Sequence, residues 1–149
     1  MIKKNNIFPA LMIGVMIVLI LPNIINLIKG PAPTPDVFSN SYTMEQASQI
    51  SQETGKPMFV LATLNSCPPC QKLKRTTMMD PEVIAWINEN MIPVYLEYSA
   101  NPDELSNLPV RSFPTTLLVK DNTVLSSVQG AVRSADLMSS FNAKLTITP

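Results

Sequence analysis

The sequence contains no histidine. That removes the commonest general base near neutral pH and the commonest metal ligand together. It contains only two cysteines, Cys67 and Cys70, three positions apart. A scaffold held by disulfides spreads its cysteines along the chain, so this pair is not a structural framework. A zinc site needs about four ligands, which two cysteines without histidine cannot supply within one chain. Formal net charge is zero at pH 7, with 11 basic and 11 acidic residues and no long basic run. Nothing in that balance favours a nucleic-acid partner. Neither a cofactor nor a resident metal is implied, and no internal repeat or low-complexity tract is present.

Apolar residues make up 46% of the 149 residues, enough for one packed domain and a short appendage. The appendage is legible first. Lys3 and Lys4 precede an apolar run from Ile7 to Ile28. A helix of that run measures about 33 Å, against about 30 Å for a bilayer core. Pro9 and Pro22 lie within it, and Asn23 and Asn26 weaken its distal end. A cleaved signal peptide is the rival reading. It requires a shorter apolar stretch and a small-residue cleavage site, whereas Gly30-Pro31-Ala32-Pro33 is rich in proline. No cysteine follows the run to allow lipoprotein processing. A buried core helix is excluded because the run is apolar on every side. The expectation is an uncleaved signal-anchor over 7–28.

Residues 1–6 carry the positive bias, which places them in the cytoplasm and the chain beyond Lys29 outside it. In a bacterium this describes a single-pass inner-membrane protein facing the periplasm, a compartment that permits thiol–disulfide chemistry. Residues 29–42, with Pro31, Pro33 and Pro35, are expected to form a semi-extended tether.

From 43 to 149 the pattern is that of one domain. Thr43-Met44-Glu45-Gln46 has the form of a capping box, and Gly55 can end the helix it opens. Pro57 to Leu64 is a nearly continuous apolar run, which suits a strand buried on both faces. A helix is expected from Pro68 to about Met78. Asp80-Pro81-Glu82 reads as N-cap, first-turn proline and first-turn acid of the next helix, with Val83, Ile84 and Ile87 on one face. Ile92 to Tyr98 reads as a second buried strand, and Asn101 to Leu108 as a short helix. Thr115 to Lys120 and Val124 to Val128 read as a hairpin turned at Asp121-Asn122. Ser134 is expected to cap a last helix reaching Leu145. The fold class is α/β, a mixed central sheet with helices on both faces.

Cys67-Pro-Pro-Cys70 falls where the first strand ends and a helix begins. At a helix N-terminus, free amides and the helix dipole stabilise a thiolate, the attacking species in disulfide exchange. Cys70, one turn on, is close enough to resolve a mixed disulfide. Lys72, Lys74 and Arg75 add positive charge beyond the pair. The two prolines suit the opening turn but remove two amide donors. An inert disulfide across so small a loop adds little stability. Arg111-Ser112-Phe113-Pro114-Thr115 is a second marker. Pro114 can be an ordinary strand-start residue or a cis-proline held for a purpose.

Together these features resemble the thioredoxin superfamily over roughly residues 45 to 145. Cys67-Pro-Pro-Cys70 stands at the family's dithiol, Phe113-Pro114-Thr115 at its cis-proline loop, and Gly130 at the glycine after its hairpin. Gly55-Lys56-Pro57 and Asp80-Pro81-Glu82-Val83 look closer to the branch that includes the C-terminal periplasmic domain of the transmembrane thiol-disulfide interchange protein. The resemblance implies that Cys67 is the nucleophile and Cys70 the resolving thiol. It implies that Pro114 receives substrate backbone and that Phe113 tunes preference. Partners implied are protein thiols and disulfides of clients and a membrane-bound or periplasmic redox partner.

Four positions depart from the family. Ser66 replaces the aromatic before the first cysteine, Leu61 a buried aspartate, Tyr95 that aspartate's lysine partner, and Lys74 the acid just past the second cysteine. Trp86, the sole tryptophan, reads as a packing residue. Glu97 is a candidate substitute carboxylate or a solvated strand-end charge. The expected function is a membrane-tethered thiol-disulfide oxidoreductase that reduces or relays disulfides of extracytoplasmic proteins. The alternatives are a binding module with a closed disulfide and a metal chaperone sharing ligands with a partner.

Overall fold

The structure is a computed structural model that describes residues 7–28 and 30–145, with side chains of the first helix described over 11–21. Two compact units make up the chain, Met1–Pro31 and Ala32–Pro149. In the first, α1 runs Ile7–Ile28. Its described side chains are all exposed, among them Leu11, Val18 and Leu21. Residues 11–21 of a helix cover about 16 Å, roughly half a bilayer core. Among the described residues no helix is long and apolar enough to cross a membrane. The expected cytoplasmic segment 1–6, with Lys3 and Lys4, and Lys29 on the other flank lie outside the described residues.

The second unit contains α2 (Met44–Thr54), β1 (Met58–Thr63), α3 (Pro68–Arg75), α4 (Pro81–Asn90), β2 (Ile92–Glu97), α5 (Pro102–Ser106), β3 (Thr115–Lys120), β4 (Thr123–Gln129) and α6 (Ser134–Leu145). The sheet order is β2-β1-β3-β4. β1 pairs parallel with β2, and β3 pairs antiparallel with both β1 and β4. Period-2 alternation along β1 divides the core. Phe59 and Leu61 face a cluster with Leu73, Met78, Ile87 and Phe141, under α3, α4 and α6. Met58, Val60 and Ala62 face Ala47, Val94, Leu105 and Leu117, under α2 and α5. Every residue of β1 is buried, as a strand covered on both faces must be.

Local chemistry fixes the ends of these elements. Thr43 and Gln46 form the reciprocal capping box, and Gly55 ends α2 at φ 72°. The Asp80 side chain accepts the Glu82 amide ahead of Pro81. Asp121 and Asn122 both take positive φ, 49° and 57°, as a two-residue hairpin turn demands. Trp86 packs edge-on to Phe59 and donates its indole N–H to Asn142, which bears out the packing role.

Three expectations are corrected. The helix after the dithiol does not reach Met78 as a single element. It ends at Arg75, and a 3₁₀ turn follows over Thr77–Met79, burying Met78 while the Thr77 hydroxyl donates to the Val132 carbonyl. Ser134 is the first residue of α6 and not the residue before it. Its hydroxyl instead bonds the Asp80 carboxylate and, with the Glu82 amide, holds that carboxyl below its ordinary range.

The largest difference concerns 29–42. This stretch is not a tether throughout. Asp36–Phe38 forms a 3₁₀ turn, and Ala32, Pro35, Val37 and Phe38 are buried. Phe38 stacks on Phe59 at 6.1 Å and packs against Tyr95 at 5.4 Å. The segment is a strap whose aromatic anchor completes the core. A tether side chain is expected to tolerate substitution within about 0.5 kcal/mol. Phe38→Ala is instead expected to lower stability by roughly 3–5 kcal/mol, read from the midpoint of urea unfolding.

Candidate functional site

β1 is buried to its end, so the chain leaves the sheet at Thr63 and turns through Leu64, Asn65 and Ser66. The Cys67 amide donates to the Leu64 carbonyl at 3.2 Å and closes that turn. Cys67 is the N-cap of α3. Its sulfur accepts the Cys70 amide at 3.3 Å, the one donor left near it once Pro68 and Pro69 fill the first turn. Both cysteines are free thiols. Cys67 is half-buried, whereas Cys70 has no exposed surface.

The second marker is brought to the first. The Phe113–Pro114 peptide is cis. The Cys67 thiol donates to the Phe113 carbonyl at 3.5 Å, across 46 positions of sequence. Pro114 is buried, and its carbonyl accepts the Gly130 amide at 2.8 Å, with Gly130 at φ 86°. The Thr115 hydroxyl donates to the Ser112 carbonyl and tightens the loop. The Phe113 ring meets Tyr98 edge-on at 5.6 Å, and Tyr98 is half exposed. Cys67, Cys70, Phe113 and Pro114 are therefore in one place.

Several polar groups around Cys70 were legible in sequence only as departures. Leu61, at the aspartate position, is fully buried in the core. Glu97 is not a solvated charge, since it is 8% exposed. Its carboxylate accepts the Asn65 amide at 3.2 Å and the Ser99 amide at 2.9 Å, so it ties the turn before the dithiol to the end of β2. Lys74 is 2% exposed, while its neighbours Lys72 and Arg75 face solvent. Its ammonium donates to the Ala32 carbonyl at 3.1 Å, Tyr95 Oη at 3.3 Å and Asn65 Oδ1 at 3.4 Å. Gln71 joins the same strap, accepting the Ala32 amide and donating to the Asn65 carbonyl. Thr63 and the strap's Ala32 were missed. The signal for Lys74 was its spacing, four residues after Cys70 on one helix face. No sequence pattern marks Ala32.

Burial is the main influence on the ionisation of these groups. It pushes the Cys70 thiol from its ordinary 9.0 up to about 11, with the Cys67 hydrogen bond adding to the rise. The Leu64 backbone and the Thr63 hydroxyl act the other way. Thr63 Oγ1 has no conventional hydrogen bond among the described residues, yet it lies near enough to the sulfur to favour its charged form. Burial raises Tyr95 and lowers Lys74, and Lys74 is partly restored by Cys70 and Glu97.

A half-exposed sulfur at a helix N-cap, a buried second thiol one turn on, and a cis-proline loop across from them stand together on an α/β domain. A family profile described as "Thioredoxin-like domain" matches residues 44–144, and the chain belongs to this family. Solved structures agree on the fold. A thioredoxin from Thermus thermophilus has a TM-score of 0.60 at 17% identity, over 68% of this chain and 83% of that one. A DsbH oxidoreductase has 0.63 at 15%, over 72% and 84%. A thioredoxin from Trypanosoma brucei brucei has 0.58 at 20%, over 77% and 96%. At such identities the likeness shows the fold alone. An Archaeoglobus fulgidus protein described as uncharacterized is 27% identical over 62 residues, 42% of this chain. The chain spans about half, 49%, of that curated relative's length.

The raised Cys70 thiol has a consequence for stability. Below pH 9 the thiol is protonated whether folded or unfolded, and contributes no slope. Above it the unfolded thiol ionises while the folded one holds its proton to about 11. The unfolded state then binds fewer protons, so stability falls as pH rises through that window. Reduced wild type is expected to lose roughly 2–3 kcal/mol more than Cys70→Ala on going from about pH 8 to 11. Denaturant midpoints of the two chains across that range check this.

Proposed function

We propose that this protein is a membrane-tethered thiol-disulfide oxidoreductase that reduces, or relays electrons to, disulfides of extracytoplasmic proteins. The observation that supports it best is the Cys67 sulfur, half-buried at the N-cap of α3 and set against the Phe113 carbonyl of the cis-proline loop. In this reading Cys67 attacks a client disulfide as a thiolate. One client sulfur leaves as a thiolate and takes a proton, and a mixed disulfide remains. Cys70 then attacks the Cys67 sulfur, closes the Cys67–Cys70 disulfide and releases the second client thiol. Two electrons pass from the dithiol to the client, and a dithiol donor at the membrane or in the periplasm restores them. Pro114 and the Phe113–Tyr98 pair form the surface that receives client backbone.

The tether is the helix α1 within the apolar run 7–28, and the site faces the periplasm from the inner membrane. The positive flank of the run in sequence supports that orientation. A membrane position raises the effective concentration of donors and clients fixed to the same surface. Retention of the full chain in membranes after an alkaline carbonate wash is the expected result. Release into the supernatant removes the anchor from the proposal and leaves the dithiol chemistry standing.

Activity is tested by insulin reduction with dithiothreitol as donor. Residues 30–149 are expected to precipitate insulin well ahead of the uncatalysed reaction, and Cys67→Ser to match that background. Equal rates for the two would favour a binding module with a closed disulfide. Cys70→Ala in native membranes is expected to accumulate mixed disulfides at Cys67, whose partners identify client and donor.

A further inference from the structure

Burying an ammonium is expensive unless something nearby profits from its charge. Lys74 is 2% exposed, and the three groups it donates to, the Ala32 carbonyl, Tyr95 Oη and Asn65 Oδ1, are all formally neutral. The ammonium also lies 5.9 Å from the centre of the Tyr95 ring. A methionine of similar length would fill this space without the desolvation cost. The position of Lys74 suggests what its charge serves. It follows Cys70 by one helical turn, so both side chains project from the same face of α3 toward the end of β1.

We propose that Lys74 is the positioning residue for the resolving step, held by the strap carbonyl of Ala32 so that its charge offsets the negative charge that forms on the buried Cys70 sulfur. This rests on the exchange reading above, in which Cys70 attacks the mixed disulfide. A fully buried thiolate without a counter-charge is costly. The carboxylate expected from the family's pattern is missing at Leu61, which lies in the apolar core. A Cys70 thiolate strengthens the hold of Lys74 on its proton. Coupling of this kind is reciprocal, so a Lys74 ammonium lowers the cost of that thiolate by the same amount. The other groups that act on the pair are Cys67 and, from the solvent side, Arg75 on α3, Glu97 and Tyr95 on β2, and Thr63 on β1. Thr63 Oγ1, buried without a conventional partner, is placed to favour the same anion.

In the step itself the Cys70 proton leaves to solvent. The Cys70 electron pair forms the bond to Cys67, and the bond from Cys67 to the client sulfur breaks with its electrons on that sulfur, which takes up a proton. Lys74 keeps its proton throughout and changes only the energy of the thiolate.

The test uses the full reduced chain in detergent micelles, mixed rapidly with dithiobis(nitrobenzoate). Attack by Cys67 releases one thionitrobenzoate, and resolution by Cys70 releases the second. If one favourable charge contact equals about one pKa unit, losing it cuts the thiolate fraction about tenfold and raises thiolate nucleophilicity about threefold. Lys74→Gln, which keeps hydrogen-bond donors, and Lys74→Met are each expected to slow the second release about three- to fourfold near pH 7. Lys74→Arg is expected to stay near wild type, and Lys74→Glu to slow it about tenfold. The ratio of wild type to Lys74→Gln should then shrink as pH rises and Lys74 becomes neutral, a trend that a packing role does not produce. If Lys74→Met does not fold, the glutamine and arginine variants decide the matter alone. Wild-type rates in Lys74→Gln, or slowing in all variants without regard to charge and pH, overturn the proposal. Absence of any second release in wild type, with the first intact, instead overturns the resolving role of Cys70 and this inference with it.

Discussion

The Cys67 sulfur can accept the Cys70 amide because the first strand ends where it does. β1 is covered on both faces over its whole length, and its next residues cannot stay in the core without leaving their backbone groups unpaired. The chain therefore turns at Leu64–Ser66 and starts a helix at once. A helix beginning there has its unpaired amides directed at the end of the sheet, and two prolines silence all but the Cys70 donor nearest the sulfur. The cis-proline loop reaches the same point by the same logic, since β3 is the neighbour of β1 on the other side. The site is thus a property of the sheet's end more than of any one loop.

Around the second thiol, the structure distributes charge in an order that differs from the family pattern. Its apolar residue, Leu61, belongs to the packed face, and its acid, Glu97, is committed to the backbone of the turn before Cys67. The cation is Lys74, which lies nearest the strap. Three elements far apart in sequence, the strap, α3 and β2, meet at Asn65 and Tyr95 to hold it. Core packing and the placement of the ammonium are linked there, because the strap that supplies Phe38 to the core also supplies the Ala32 carbonyl to the ammonium.

Much of this was legible beforehand. Element order follows from hydrophobic period and from capping residues such as Thr43, Asp80 and Gly55, whose local bonds do not depend on the rest of the chain. The dithiol and Pro114 were legible because their residue types are scarce and their setting is specific. The strap was not, because three prolines in a short stretch describe an extended chain equally well in solvent or laid across a core. The burial of Lys74 and Glu97 was hidden for a related reason. A charged residue near the end of an element is ordinarily solvated, and whether it is covered depends on a segment more than 40 positions away for Lys74.

The sheet has two outer strands, β2 and β4, and each is interrupted in its own way. On β2 the outward carbonyl of Pro93 accepts the Tyr42 amide, and proline offers no donor on that side. On β4 small polar residues, Thr123, Ser126 and Ser127, are interspersed with Val124, Leu125 and Val128, and a register irregularity in the β3–β4 pairing at Leu118–Val119 twists the ladder. Each outer strand therefore departs from the flat, regular ribbon on which copies of a domain most readily pair edge to edge.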